Sequence, residues 1–181
     1  MSIGHFYAIT QNYGDLGSAL GIKTIIRSLR PDLLFYDINI DSKKVNPFKY
    51  KKLQKVLNGL ILGGGGVFYN RPQYASKFNF NLNYKQYKQL EVPKIFYGIG
   101  INSQIRSTTR WIITSETKKS IKSFANITNF IGVRDHSTVN FLKELGIRNV
   151  NLVPCPSSLL LYKMDYPKRN RSAAINLTTR G

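Results

Sequence analysis

Phe130-Ile131-Gly132-Val133-Arg134-Asp135-His136-Ser137, running on to Phe141-Leu142 and then Leu145-Gly146, holds a complete strand-to-helix unit. The apolar run over 129–134 reads as a buried strand, and Asp135 reads as the N-cap of a helix over 136–145. Val139, Phe141, Leu142 and Leu145 make one face of that helix, and Gly146 ends it. The same unit recurs outward in both directions. Apolar runs near 3–9, 33–40, 59–62, 94–101, 150–154 and 173–178 predict further strands. Between them, 18–29 carries a stripe of Ala19, Leu20, Ile22, Ile25, Ile26 and Leu29, closed by Pro31. Shorter helices are predicted over 48–57, 84–90 and 115–124, the last with Glu116 in its first turn. Strand–helix alternation of this kind predicts an α/β fold, Rossmann-like, with a mostly parallel sheet.

In such a sheet the loops at the carboxyl ends of the strands form the ligand crevice. Four clusters fall there. In Asn12-Tyr13-Gly14-Asp15, helix-start N–H groups can hold an anion, and Gly14 allows close approach. Asp15 suits a general base or an acceptor for sugar hydroxyls, and it equally suits a helix cap. Gly63-Gly64-Gly65-Gly66 is costly in backbone entropy unless the chain contorts or approaches something closely, which makes Gly64 and Gly65 candidate floor residues for a phosphate or sugar. Gly98 and Gly100 repeat the theme, with close strand–helix packing as the plain alternative. Arg134 offers bidentate geometry to a carboxylate or phosphate, or a structural ion pair.

Other chemistries are excluded by spacing. No Lys-Ser or Lys-Thr follows the glycines as a P-loop needs, and Gly14-x-x-Gly17 is no dinucleotide fingerprint. There is no Gly-x-Ser-x-Gly elbow. His5 and His136 are isolated, and the single Cys155 lies between two prolines, so no metal set is predicted. The stretches 70–83, rich in aromatics and Asn, and 102–114, with Arg106, Arg110 and Trp111, are longer than connectivity requires, as functional loops often are.

The chain has 181 residues, 42% hydrophobic, with 27 Lys and Arg against 9 acidic residues, a net charge of +18. That is enough for one cored domain and the start of another. No apolar stretch is long enough to span a bilayer, and the N-terminus lacks a signal-peptide layout, which predicts a cytoplasmic setting. The basic residues are spread along the length, which disfavours nucleic acid and leaves an anionic membrane surface or anionic substrate, or simple compositional drift toward Lys, Asn, Ile and Tyr.

Taken in order, Asn12-x-Gly14-Asp15, Leu62-Gly63-Gly64-Gly65-Gly66, Tyr97-Gly98-Ile99-Gly100-Ile101 and Val133-Arg134-Asp135-x-Ser137-x-x-x-Phe141-Leu142-x-x-Leu145-Gly146 resemble the polysaccharide pyruvyl transferase family. The resemblance implies the N-terminal half of a glycosyltransferase-B-like two-domain fold. Residues 1–155 would be the Rossmann-like domain, 156–172 a linker, and 173–181 the first strand of a truncated second domain. It implies transfer of pyruvate from phosphoenolpyruvate to a sugar, or a lipid-linked oligosaccharide, as a ketal in cell-surface polysaccharide synthesis, with no cofactor beyond the donor. The protein would work in the cytoplasm or peripherally at the inner face of the plasma membrane. Asp15 and Arg134 would be catalytic, and Asn12, Gly14, Gly64, Gly65, Gly98, Gly100, Asp135 and Ser137 would bind substrate. Two departures stand out. The family's donor-holding Arg and His positions fall largely in the second half, and Pro154-Cys155-Pro156-Ser157 stands where an acidic residue more often precedes the proline. A nucleotide-sugar glycosyltransferase on the same fold, and a non-catalytic basic module docking on glycan or membrane, are the competing readings.

Overall fold

The computed structural model describes residues 1–9, 13–40, 47–101 and 113–160, with backbone only for 47–51. In chain order these form β1 (Ser2–Tyr7), α1 (Tyr13–Leu29), β2 (Leu34–Asn39), α2 (Pro47–Val56), β3 (Gly59–Leu62) and β4 (Gly65–Phe68). Then come α3 (Tyr84–Gln89), β5 (Lys94–Ile101), α4 (Ser115–Asn126), β6 (Phe130–Val133), α5 (His136–Glu144), β7 (Asn151–Leu152) and α6 (Pro156–Leu159). The strand order is β2-β1-β3-β5-β6-β7, with β4 on β5, and every pairing is parallel. The α/β, Rossmann-like expectation therefore holds. From β1 the chain moves outward to β2 and then returns past β1 to β3. Connections reverse direction there, which opens a crevice at the carboxyl ends of β1 and β3.

Alternation along the strands sorts two layers. Leu60, Leu62, Phe96, Ile131 and Val133 point into a core shared with Tyr87 of α3, Phe124 of α4 and Phe141 and Leu142 of α5. α2 joins this layer, since Leu57 just beyond it lies against Gly4 and Gln54 Nε2 donates to the Gln89 carbonyl. On the other face Ile61, Ile95, Tyr97 and Phe130 look toward Ile22, Ile25 and Ile26 of α1, with an apolar groove of about 260 Å³ between them. α6 packs along the first half of α1.

Three differences from expectation have plain causes. α1 starts at Tyr13, five residues before the predicted start, because Gly14 and Gly17 conceal the helical pattern. β4 was not predicted at all. Its Gly65-Gly66 has no strand propensity, and pairing with Ile99 and Gly100 of β5 holds it extended. The 70–83 stretch is no open loop: Ser76, Phe78, Phe80 and Leu82 are fully buried. Phe80 packs edge-on to Phe6 at 5.4 Å and Phe78 edge-on to Phe124 at 5.1 Å, so the aromatics fill the core. Predicted features at 102–112 and 173–178 lie outside the described residues.

Candidate active site

Asp15 sits in the first turn of α1, where its negative charge complements the helix dipole. It is not the N-cap. Its carboxylate lies against Gly65, where a Cβ would collide with it. One turn on, Ser18 is buried, and a Cβ at Gly64 would come within 2.6 Å of the Ser18 Cβ. The α1 terminus thus rests directly on the glycine run. Gly63 and Gly65 have φ of +145° and +110°, which L side chains rarely adopt, so the step from β3 into β4 needs glycine there. Because β4 is itself paired, the run already has a structural task without any ligand. Gly14 is exposed beside it, and Asn12 lies outside the described residues.

His5 supports this step from beneath. Its Nε2 is 2.6 Å from the Gly63 carbonyl, and the ring is completely buried. Burial, reinforced by the nearby Lys23 charge, lowers its pKa to about 4 despite the opposing Gly63 bond and Asp37. A neutral ring that bonds a carbonyl donates from Nε2. Among the described residues Nδ1 is buried with no hydrogen-bond partner.

The other side of the crevice comes from β5, β6 and the segment after β7. Gly98, at φ +62°, meets the Pro156 ring, and Gly100 meets Arg134 and Asp135. The Arg134 N–H donates to the Ile99 carbonyl at 3.0 Å. Its Nε lies 3.9 Å from Asp135 Oδ2, with the side chain 29% exposed. Asp135 caps α5 as predicted: Oδ1 accepts from Thr138 N and Thr138 Oγ1, each at 2.7 Å. Thr138 Oγ1 in turn accepts from the Ile101 N–H at 2.8 Å, which ties the end of β5 to α5. Ser137 stands exposed in the first turn of α5, outside these contacts.

Ser18, Cys155 and Ser157 belong to the same wall, and sequence reasoning did not select them as site residues. The Cys155 Sγ is 3.2 Å from Ser157 Oγ. Burial raises its pKa, but bonds from the Ser157 hydroxyl and N–H, the Arg134 charge and the Ser18 hydroxyl outweigh that and leave the thiol below its ordinary value. The signal that could have found Cys155 is positional, since it follows a strand end as the four clusters do. Among the described residues, no group of three His, Cys, Asp or Glu could hold a metal ion. The partly exposed guanidinium can meet an anionic group, and the carboxylates and hydroxyls around the glycine backbone can bond a ligand's hydroxyl groups.

Comparison with known proteins gives one family. Residues 12–179 match the family described as "Polysaccharide pyruvyl transferase". No curated protein matches the chain. Among solved structures, an AraC family transcriptional regulator from Pseudomonas putida is 9% identical over 84% of this chain and 75% of that one. Its TM-score is 0.38, too low for the likeness to bear on fold or function.

Proposed function

The chain belongs to the polysaccharide pyruvyl transferase family, and on that premise we propose that its crevice serves the transfer of pyruvate from phosphoenolpyruvate to a polysaccharide sugar, forming a ketal. The observation that carries this is the placement of Arg134 and Asp15 on the same strand-end crevice, joined through Gly65, Gly64, Ser18 and Cys155. Two acceptor hydroxyls must bond to the enol carbon, the methylene must gain a proton to become methyl, and the bond to phosphate must break. Asp15 takes a proton from an attacking hydroxyl. Arg134 holds the donor carboxylate or the departing phosphate. Asn12, Gly14 and Ser137 contact the substrates, Gly64, Gly65, Gly98 and Gly100 let them approach the backbone, and Asp135 fixes the loop that carries Arg134.

No cofactor is needed beyond the donor. In this reading 1–155 is one wall of a two-domain, glycosyltransferase-B-like cleft, 156–172 is a linker whose first turn, Pro156–Leu159, packs back on α1, and 173–181 begins the facing half. That half supplies the general acid and most donor contacts, so residues 1–181 alone turn over little or no substrate. The site works in the cytoplasm, and at the inner face of the plasma membrane when the acceptor is lipid-linked. The test is incubation of the full-length protein with phosphoenolpyruvate and a panel of soluble and lipid-linked glycans. Phosphate release coupled to a pyruvylated glycan is expected. Turnover of a nucleotide sugar, with no phosphate released by any acceptor, would overturn the reading.

A further inference from the structure

The two layers of the molecule differ sharply in charge. α2, α3, α4 and α5 together carry ten lysines against two glutamates. All eight of those lysines whose side chains are described are exposed. None of the eight is ion-paired among the described residues, and Glu116 is held instead by Lys77 at 3.5 Å. Among the described residues, two cations of the opposite side meet a carboxylate and a third covers an aromatic ring. Lys23 pairs with Asp37 at 2.5 Å, Arg30 pairs with Asp32 at 2.9 Å, and Arg27 lies over the Phe35 ring at 5.4 Å. Compositional drift toward lysine would load both faces alike, so the asymmetry calls for a partner.

We infer that the outer face of the α2–α5 layer docks on an anionic lipid bilayer. The four helices lie side by side on one face of the sheet, a broad surface that can meet a bilayer along its length. Their cations are all lysines, with no arginine. Lysine is a hydrated point charge that responds to a diffuse anionic surface, whereas specific phosphate recognition favours the arginine fork. Val56 and Tyr84, 47% and 38% exposed, supply apolar and amphipathic groups among the lysines. The attraction operates within a Debye length, so it requires this layer to face the membrane. Docked so, the sheet lies parallel to the bilayer and the strand-end crevice opens along it. The use of that opening for a lipid-linked acceptor rests on the pyruvyl-transfer reading, but the docking does not.

Vesicle binding without donor or acceptor tests the docking separately from catalysis. The full chain is sedimented with vesicles of phosphatidylcholine alone and of equimolar phosphatidylcholine and phosphatidylglycerol, at low and high salt. One variant changes Lys52, Lys85, Lys118 and Lys143 to Gln, one on each helix. A control changes Arg27 and Arg30, exposed cations of the opposite side, to Gln, with losses compared per charge removed, and circular dichroism verifies both folds. Binding to the anionic vesicles only, released by salt, is expected. It should fall about fivefold per layer lysine, hence by several hundredfold in the layer variant, and far less per charge in the control. Equal losses per charge in the two variants, no preference for anionic vesicles, or tighter binding to a short duplex DNA at the same ionic strength would overturn the inference.

Discussion

His5 is the residue whose environment constrains it most. Protonation would place a charge in a fully buried site that faces Lys23, and it could not improve the bond already made to the Gly63 carbonyl. The folded-state pKa of about 4 lies below the ordinary 6.5, so the unfolded chain takes up the proton first as pH falls. His5 therefore contributes its full stability above pH 6.5 and loses it progressively down to pH 4. The total is about 3 kcal/mol, of which about 2 kcal/mol is gone by pH 5, before most carboxylates titrate. Urea unfolding followed from pH 7 to pH 5 should show this slope. His5→Gln keeps a donor for Gly63 without a titrating group, and its stability should stay nearly flat; an unchanged slope would refute the assignment. At this scale the sequence is legible only where a residue acts on its near neighbours. Asp135 capping Thr138 could be read directly. Ser18 and Cys155 could not, because they meet only through the packing of α6 on α1.

At the scale of elements, α1 and α6 show how two glycines in one helix do different work. A Cβ at Gly21 would run into the Pro156 carbonyl of α6, whereas at Gly17 it would find ordinary contact with the Ser157 Cβ at 3.6 Å. Gly17→Ala should stabilise the protein by up to about 1 kcal/mol through helix propensity. Gly21→Ala should destabilise it by about 1–3 kcal/mol despite the same propensity gain, because backbone rather than a flexible side chain must move. Denaturant midpoints of the two variants decide this, and equal shifts would show that α6 does not pack as described. Gly21, which makes this contact possible, falls inside the periodic stretch, whereas Gly14 and Gly17 hid the start of α1. β4 was hidden for a related reason: Gly65-Gly66 is extended through its pairing with β5 and carries no pattern of its own. The strands with β-branched and aromatic alternation, β1, β5 and β6, were predicted to within about two residues of their bounds.

At the scale of the whole molecule, alternation of strands and helices announced a parallel α/β sheet, but it could not order the strands. The reversal between β1 and β3 places the α1 terminus over the glycine run and brings the Arg134 loop to the same edge. Clusters that are far apart in sequence, from Gly14 to Arg134, become two sides of one crevice among the described residues. Charge sorts in part the same way, since ten of the 27 basic residues fall on the four helices of one layer. Pyruvyl transfer requires that crevice to act as a unit. The direct measurement is the steady-state rate of pyruvyl ketal formation, followed by mass spectrometry of the glycan, for the full-length protein and for Asp15→Asn and Arg134→Ala. We expect each variant to fold normally and to lose about 10²–10⁴-fold in rate. Ketal formation at the wild-type rate in both variants would contradict the account.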